Sequence, residues 1–322
     1  MKGLEQDLER AAEMAVKTCL GVKPHEVLLV IADTETKDMG EALFNAGLKV
    51  GAEVIFMLMK PRTRHGEEPP KLIAEAWQHA DVFIAPTKYS LTHTQARKRA
   101  TEKGARGATM PGITKELFVR SMKVDYNKVR ELATKMKSVL EGKKSIKIVT
   151  RKGSDLEFSI EGRPIIIDTG ILHDKGSFGN LPAGEVFVAP IEGTAQGTLV
   201  IDGAIAGVGI VKHPVKIVVR DGFVVSIEGM DEARKLNDLL ASVGKKEAFN
   251  VAEFGIGCNM GVEVVGNILV DEKVFGTTHV AFGDNSTIGG KTIAGIHIDG
   301  IIYEPTVYVD GAKVIEDGKW LV

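Results

Sequence analysis

One stretch, Val27-Leu-Leu-Val-Ile-Ala-Asp33, decides the fold of the first part of the chain. A continuous apolar run of this length is typical of a strand that is buried on both faces of a parallel sheet. Similar runs follow at residues 53–59, 81–86 and 105–110. Segments with helical spacing lie around them, at residues 4–20, 34–46, 70–80, 93–104 and 125–144. This alternation predicts a parallel sheet with right-handed crossovers.

The sequence pattern changes from Ser145 onward. Residues 146–150, 156–160 and 215–219 have strand patterns, and three Asp-Gly pairs, at 221–222, 310–311 and 317–318, predict tight hairpins. Only residues 231–243 and 271–275 have a helical pattern. We therefore predict an α/β protein with a small parallel-sheet N-terminal domain over residues 1–143. A larger β-rich (α+β) metal-binding catalytic domain would cover residues 144–322.

The composition excludes several classes of protein. Of the 322 residues, 44% are hydrophobic and 26% are charged, which is ordinary for a globular protein. The 41 basic and 43 acidic residues give a net charge of −2, so no global field attracts nucleic acid or an anionic membrane. Two cysteines, Cys19 and Cys258, build no disulfide framework. With no apolar signal-peptide core and no apolar stretch of about 18 residues, we expect a cytoplasmic protein.

The candidate site lies in the β-rich half. His297 and Asp299 are two residues apart, so on a strand both side chains point to the same face and can bind one metal ion. Glu185, Glu253 and His279 would complete a site for two divalent ions. Three carboxylates leave such a pair with a net charge near +1, which suits metal-assisted hydrolysis. Mixed histidine and carboxylate ligands suit zinc, cobalt or manganese.

A simpler interpretation of these residues stays open. A His-x-Asp pair on a strand is also compatible with a hydrogen-bonded surface pair, and a glutamate at a strand start with a solvated side chain. However, Glu253, His279 and His297 have apolar neighbours in the sequence, where an unpaired charge would be costly. This environment favours a metal site without deciding it.

Four segments carry a family resemblance: Leu-Pro-Ala-Gly-Glu-Val-Phe (181–187), Ala-Glu-Phe-Gly-Ile-Gly-Cys-Asn (252–259), Thr-His-Val-Ala-Phe-Gly (278–283) and His-Ile-Asp-Gly (297–300). In this order they resemble the aminopeptidase T family, also called the leucyl aminopeptidase T-like or thermophilic metalloprotease family. The resemblance implies that the metal ligands are Glu185, Glu253, His279, His297 and Asp299. It also implies a homodimeric cytoplasmic metallo-aminopeptidase with two divalent ions, in which Glu253 is a bridging ligand or general base.

One position departs from that family. Ser286 stands seven residues beyond His279, where the peptidases carry a tyrosine. Tyr303 and Tyr308 are the candidates to replace the missing phenol.

The same superfamily includes ring-cleaving dioxygenases of the 2,5-dihydroxypyridine type, which use one ferrous ion. Two histidines and a carboxylate are the expected ligands of such an ion, and His279, His297 and Asp299 supply them. Those relatives carry histidine where this chain has Glu253, and a second carboxylate favours two metals. The segment 90–97 resembles a dioxygenase stretch in which a histidine, here His93, faces the substrate. An exposed residue near a helix N-terminus is the other interpretation of His93.

We therefore expect a hydrolase that releases N-terminal residues from peptides, using a hydroxide activated by two zinc, cobalt or manganese ions. The alternatives are a non-haem Fe(II) ring-cleaving dioxygenase and a relative that has lost catalysis. A peptide or another small molecule is the expected substrate.

Overall fold

The computed structural model describes residues 2–322. The helices are α1 (Lys2–Glu13), α2 (Lys37–Val50), α3 (Lys71–Trp77), α4 (Gln95–Glu102), α5 (Lys115–Ser121), α6 (Tyr126–Leu140), α7 (Asp231–Ala241) and α8 (Ile268–Asp271), with a π-helical segment at Met14–Cys19 and a 3₁₀ segment at Lys246–Phe249. The strands are β1 (Val27–Asp33), β2 (Glu53–Met59), β3 (Val82–Thr87), β4 (Arg106–Pro111), β5 (Ser145–Val149), β6 (Asp155–Ser159), β7 (Ile166–Asp168), β8 (Phe178–Asn180), β9 (Glu185–Val188), β10 (Gln196–Ile201), β11 (Ala204–Ile205), β12 (Gly209–Ile210), β13 (Val215–Arg220), β14 (Phe223–Glu228), β15 (Val251–Gly257), β16 (Thr278–Gly283), β17 (His297–Ile302), β18 (Thr306–Val309), β19 (Ala312–Glu316) and β20 (Lys319–Trp320).

The chain divides into two compact units. The first extends to Arg130 and takes in Asp168–Ala183, and the second comprises Glu131–Ile167 and Gly184–Val322. This division differs from the single boundary expected at residue 143. Residues 168–183 belong to the first unit because β8 pairs with β4. The boundary after Arg130 lies before residue 143 because the C-terminal half of α6 packs into the core of the second unit. The functions assigned to the two domains stay predictions.

The first unit contains the predicted parallel sheet, with strand order β2-β1-β3-β4-β8. Its core includes Trp77, whose ring meets that of Phe83 edge-on at 5.0 Å between centroids. Helix α2 continues past Gly47 and ends at Gly51, which has a φ of +88°. The glycine that directly follows the predicted helix at residues 34–46 indicates a helix end at Gly47, but Gly47 lies inside α2. It lies where a Cβ would come within 2.7 Å of the Leu28 side chain, so the glycine lets α2 lie close to the sheet.

The second unit contains two sheets. One has eight strands in the order β14-β13-β10-β6-β5-β18-β19-β20, and the other has seven in the order β12-β11-β17-β16-β15-β9-β7. Side chains of both sheets share one hydrophobic core, where Phe158 and Phe254 lie 5.6 Å apart between ring centroids. The fold is the predicted mixture of a small parallel sheet and a larger β-rich part.

The three predicted Asp-Gly hairpins are present. The turns join β13 to β14, β18 to β19 and β19 to β20, and both residues of each turn have positive φ values. A positive φ at both central residues defines the type I′ turn, which matches the twist of paired strands. Within residues 2–322, no helix is both long and apolar enough to span a membrane.

Candidate metal centre

The five predicted metal ligands lie on four neighbouring strands of the seven-stranded sheet. They are Glu185 on β9, Glu253 on β15, His279 on β16, and His297 and Asp299 on β17. Ala281 lies opposite both Glu253 and Asp299 in the strand register. The alternate residues, among them Val280 and Ile298, belong to the hydrophobic core. Because side chains alternate along a strand, the five ligands share the face directed away from that core.

The structure brings these side chains within contact distance of one another. The Nε2 atom of His279 lies 3.3 Å from Glu253 Oε1 and 3.4 Å from Glu185 Oε2. The Nε2 atom of His297 lies 3.5 Å from Glu253 Oε2 and 3.4 Å from Asp299 Oδ1. The cluster is therefore continuous, with Glu253 between the two imidazoles. That these residues bind metal stays a prediction.

Three overlapping groups in this cluster have ligand atoms close enough to hold one ion. They are Glu185–Glu253–His279, Glu253–His297–Asp299 and Glu272–His279–Asp299, each with its ligand atoms within 4.8 Å of one another. The two histidines fall in different groups. The predicted iron ligands His279, His297 and Asp299 thus lie in one cluster but do not form one of these groups.

Gly255 makes room for the His279 ring. An ideal Cβ at this position would lie 2.1 Å from the imidazole Cε1 and Nε2 atoms. The Gly-Ile-Gly pattern at residues 255–257 predicts a turn, because glycine is the commonest turn residue, but both glycines belong to strand β15. Glycine is required here by close approach of a side chain rather than by a turn.

The backbone of the loop after β16 fixes the orientation of His297. Its Nδ1 atom lies 2.7 Å from the carbonyl oxygen of Asp284. A carbonyl can only accept, so Nδ1 carries the hydrogen and Nε2 is directed at Glu253 and Asp299. This arrangement is common for metal-binding histidines, whose second nitrogen is held by an outer hydrogen-bond partner.

The carboxylates raise the pKa of both histidines. Burial disfavours the charged form of His279, but its hydrogen bond with Glu253 and the surrounding negative charges outweigh burial and raise the pKa to about 9. The His297 side chain is 34% exposed, and the cost of its partial burial is outweighed by the charge and hydrogen bond of Asp299, which raise the pKa to about 10. The charge of His297 in turn overcomes burial and lowers the pKa of Asp299 to about 2. Without a bound cation, both imidazoles are therefore protonated at neutral pH.

The residues fit a cation chemically. Glu185 Oε2 and His279 Nδ1 are buried and have no hydrogen-bond partner among the described residues. Burial raises the pKa of Glu185, an effect that the positive charge of Lys273 opposes. Glu185 Oε2 lies 3.4 Å from His279 Nε2 but accepts no hydrogen bond within residues 2–322, and a buried carboxylate oxygen of this kind is costly unless a proton or cation compensates its charge. Imidazole nitrogens with carboxylates are ligands for iron, zinc or manganese.

Sequence reasoning missed two charged residues of the cluster, Glu272 and Lys273. The Lys273 side chain is 2% exposed, and its Nζ donates to Glu185 Oε1 and Glu272 Oε1. Residues 271–275 have a helical pattern, but α8 ends at Asp271, and Lys273 lies in the following turn. No motif distinguished this lysine from a solvated one.

The tyrosine expected in the peptidase family has no replacement at the predicted positions. Ser286 is exposed, and its hydroxyl donates to the carboxylate of Asp284 at 2.7 Å. Tyr303 follows β17 at the end remote from His297, and Tyr308 lies on β18 in the other sheet.

His93 lies in the first unit, directly before Thr94, the residue that caps α4. Its side chain is exposed. This position agrees with the simpler interpretation of an exposed residue near a helix N-terminus. A substrate contact by His93 stays a prediction.

Comparison with known proteins identifies relatives along the chain. The family model described as NicX, 2,5-dihydroxypyridine 5,6-dioxygenase, matches residues 7–322. The 2,5-dihydroxypyridine 5,6-dioxygenase of Pseudomonas putida KT2440 is 26% identical over 220 residues, which are 63% of this chain. The match spans 61% of that relative's length.

Two solved structures share the fold. A 2,5-dihydroxypyridine dioxygenase from Pseudomonas putida KT2440 superposes with a TM-score of 0.80 at 20% identity, covering 99% of this chain and 97% of that one. Wild-type AmpT from Thermus thermophilus superposes with a TM-score of 0.75 at 19% identity, covering 98% and 99%. At such identities these likenesses concern the fold. The family model covers nearly the whole sequence, and the chain therefore belongs to the 2,5-dihydroxypyridine 5,6-dioxygenase (NicX) family.

Proposed function

We propose that the protein is an iron-dependent dioxygenase that opens the ring of a small dihydroxylated aromatic substrate of the dihydroxypyridine type. The observation that carries this proposal is the family match over residues 7–322, which includes every strand that contributes to the histidine–carboxylate cluster. The aminopeptidase expected from the sequence motifs has weaker support, because it rests on a structural likeness at 19% identity. The dioxygenase, which was the alternative interpretation of the sequence, is therefore preferred to the aminopeptidase.

We assign the ion to Glu253, His297 and Asp299. The ligand atoms of these three residues lie within 4.8 Å of one another, and the backbone carbonyl of Asp284 already directs His297 Nε2 toward the carboxylates. A ferrous ion, when bound, supplies the redox chemistry that allows dioxygen to react with an aromatic ring. This assignment differs from the predicted iron ligands, since Glu253 replaces His279.

His279 then acts on Glu253 rather than on the ion. Its Nε2 lies 3.3 Å from Glu253 Oε1, while the other carboxylate oxygen faces His297. A proton on Nε2 of His279 would therefore hold the carboxylate in one orientation. His279 is completely buried, so water does not compete for this hydrogen bond.

The test is oxygen consumption with 2,5-dihydroxypyridine as the substrate. Protein purified under nitrogen and loaded with Fe(II) should consume about one dioxygen per ring, with loss of the ring's ultraviolet absorbance. The same protein loaded with zinc should consume none, because zinc has no redox chemistry. Iron-loaded protein that binds the substrate but consumes no oxygen would contradict the proposal.

A second candidate, the metallo-aminopeptidase, is favoured by one specific observation. Glu253 belongs to two groups, Glu185–Glu253–His279 and Glu253–His297–Asp299, as expected for a carboxylate that bridges two ions. Release of an N-terminal residue from an unblocked dipeptide by protein loaded with two zinc or cobalt ions would favour this function. A blocked N-terminus provides the matched control.

The expected partners belong to the same set of proposals. We propose a small-molecule substrate, no nucleic-acid or membrane partner, and a homodimer. Light scattering after gel filtration tests the dimer, which would be excluded by a single species with a mass near 34.7 kDa.

A further inference from the structure

The feature behind this inference is a lysine ammonium inside the metal centre. Lys273 is 1% exposed and donates to the carboxylates of both Glu185 and Glu272. A buried ammonium is stable only when paired, and both carboxylates that pair with Lys273 belong to groups that could hold an ion.

The backbone around Lys273 is held firmly. Its carbonyl accepts a hydrogen bond of 2.8 Å from the amide of Asn259, which follows β15. A Cβ at Gly257 would lie 2.0 Å from the carbonyl oxygen of Val274, so the segment passes directly over a glycine of the ligand-bearing strand. The ammonium is therefore placed by the fold and not by a flexible loop alone.

Lys273 donates to a carboxylate in two of the three groups that could hold an ion. The groups that contain His279 are Glu185–Glu253–His279 and Glu272–His279–Asp299, and the lysine binds one carboxylate in each. The third group, Glu253–His297–Asp299, contains neither Glu185 nor Glu272. A divalent ion in either of the first two groups would compete with the ammonium for a ligand and would be repelled by its charge.

We infer that Lys273 takes the place of a second metal ion, so that the centre binds one divalent cation through Glu253, His297 and Asp299. The inference rests on the proposed function only in so far as the cluster is a metal centre. It adds a specificity-determining residue, because the charge at position 273 sets the number of ions. The count of ions in turn separates single-ion oxygenase chemistry from two-ion hydrolysis.

The test is the number of ions bound per chain. Apoprotein is loaded under nitrogen with excess Fe(II) or Zn(II), desalted and analysed by mass spectrometry of the metal. Wild-type protein should hold about one ion, and Lys273→Met about two, because the carboxylates of Glu185 and Glu272 become available beside His279. Lys273→Arg, which keeps the charge, and the exposed control Lys235→Met should both hold one.

A second variant keeps the inference testable if Lys273→Met fails to fold. Glu185→Gln should leave one ion per chain, with an affinity within about tenfold of wild type, because Glu185 is not a ligand of that ion. Two ions in the wild type, or one ion in a folded Lys273→Met protein, would overturn the inference. So would loss of the single ion in Glu185→Gln. One ion without oxygen consumption would instead contradict the proposed function and leave the inference standing.

Discussion

At the scale of single residues, His297 is the proposed ligand whose removal has the clearest expected effect. His297→Ala deletes the Nε2 atom between Glu253 and Asp299, and because the side chain is 34% exposed, water can fill the space that it leaves. We expect the affinity for Fe(II) or Zn(II) to fall by at least about 100-fold, since even outer partners of metal ligands contribute 10- to 100-fold. Isothermal titration measures this change.

The matched control for that variant is His79→Ala, which removes an exposed histidine of the first unit. Its ion affinity should equal that of the wild type. Unchanged affinity in His297→Ala would remove this residue from the ligand set.

The raised histidine pKa values predict how the stability of the metal-free protein depends on pH. The pKa values of His279 and His297 are about 9 and about 10 in the folded protein, against about 6.5 in an unfolded chain. Their stabilising contribution is therefore complete below pH 6.5 and is lost as the pH rises toward 10. Urea unfolding of metal-free protein at pH 6.5, 8 and 10 should show a falling free energy of unfolding.

His297→Ala serves again as the comparison, because it should flatten this pH dependence. A free energy of unfolding that rises between pH 6.5 and 10 in wild-type protein would contradict the prediction.

The sequence allowed five residues of the cluster to be selected, but not Glu272 and Lys273. The motifs at 185, 253, 279 and 297–299 carry a chemical pattern, and His-x-Asp on a strand fixes a common face. Lys273 could not be selected, because nothing local separates a buried lysine from an exposed one. Its environment is created by Glu185, which is 88 residues away in sequence.

At the scale of elements, the packing of β15 against β16 depends on Gly255. A methyl group at this position would lie 2.1 Å from the His279 ring, and either the ring or the strand must move. We expect Gly255→Ala to destabilise the protein by about 1–3 kcal/mol or more, as overpacking does, and to weaken ion binding. Thermal unfolding and ion titration measure the two effects.

Gly179→Ala is a matched control in strand β8. A Cβ there would meet its neighbours at 3.4 Å or more, which is ordinary contact. This variant should change stability far less, and equal effects of the two substitutions would argue against a special role for Gly255.

Elements were predictable where the local signal is strong. The bounds of β1 and β2 agree with the predicted strands, and each Asp-Gly pair forms a tight turn. Short elements were missed, among them α5 and β8, because only a few residues carry their signal. The end of α2 was placed at Gly47 instead of Gly51, since a glycine that permits close packing resembles one that ends a helix.

At the scale of the whole molecule, the chain enters the first unit twice. Strand β8 pairs with β4 through residues 178–180, after the chain has already built strands of the second unit. A fragment of residues 1–143 should therefore lack one edge of its sheet and expose β4, which favours aggregation. A fragment in which residues 1–143 are linked to residues 168–183 should be more stable to urea and less prone to aggregate.

Equal stability of the two fragments would mean that β8 contributes little to the first unit. The sequence alone could not predict that the chain returns to the first unit at β8. The strand is three residues long, and its partner β4 lies about 70 residues earlier in the chain.

The three proposed ligands lie on β15 and β17, which β16 separates in the sheet, and this placement bears on how the protein would select its metal. An unfolded chain offers only isolated imidazoles and carboxylates, and such loose ligands follow the intrinsic order of affinities, in which copper outcompetes iron and manganese. Glu253, His297 and Asp299 form a group only after β15, β16 and β17 have paired. Under the proposed assignment, selection would wait until the sheet is complete, when ligand spacing fixed by the backbone can discriminate against ions that prefer another geometry. In a cell, the order of events would be folding first and metallation second, which protects a newly made chain from capture by the wrong ion.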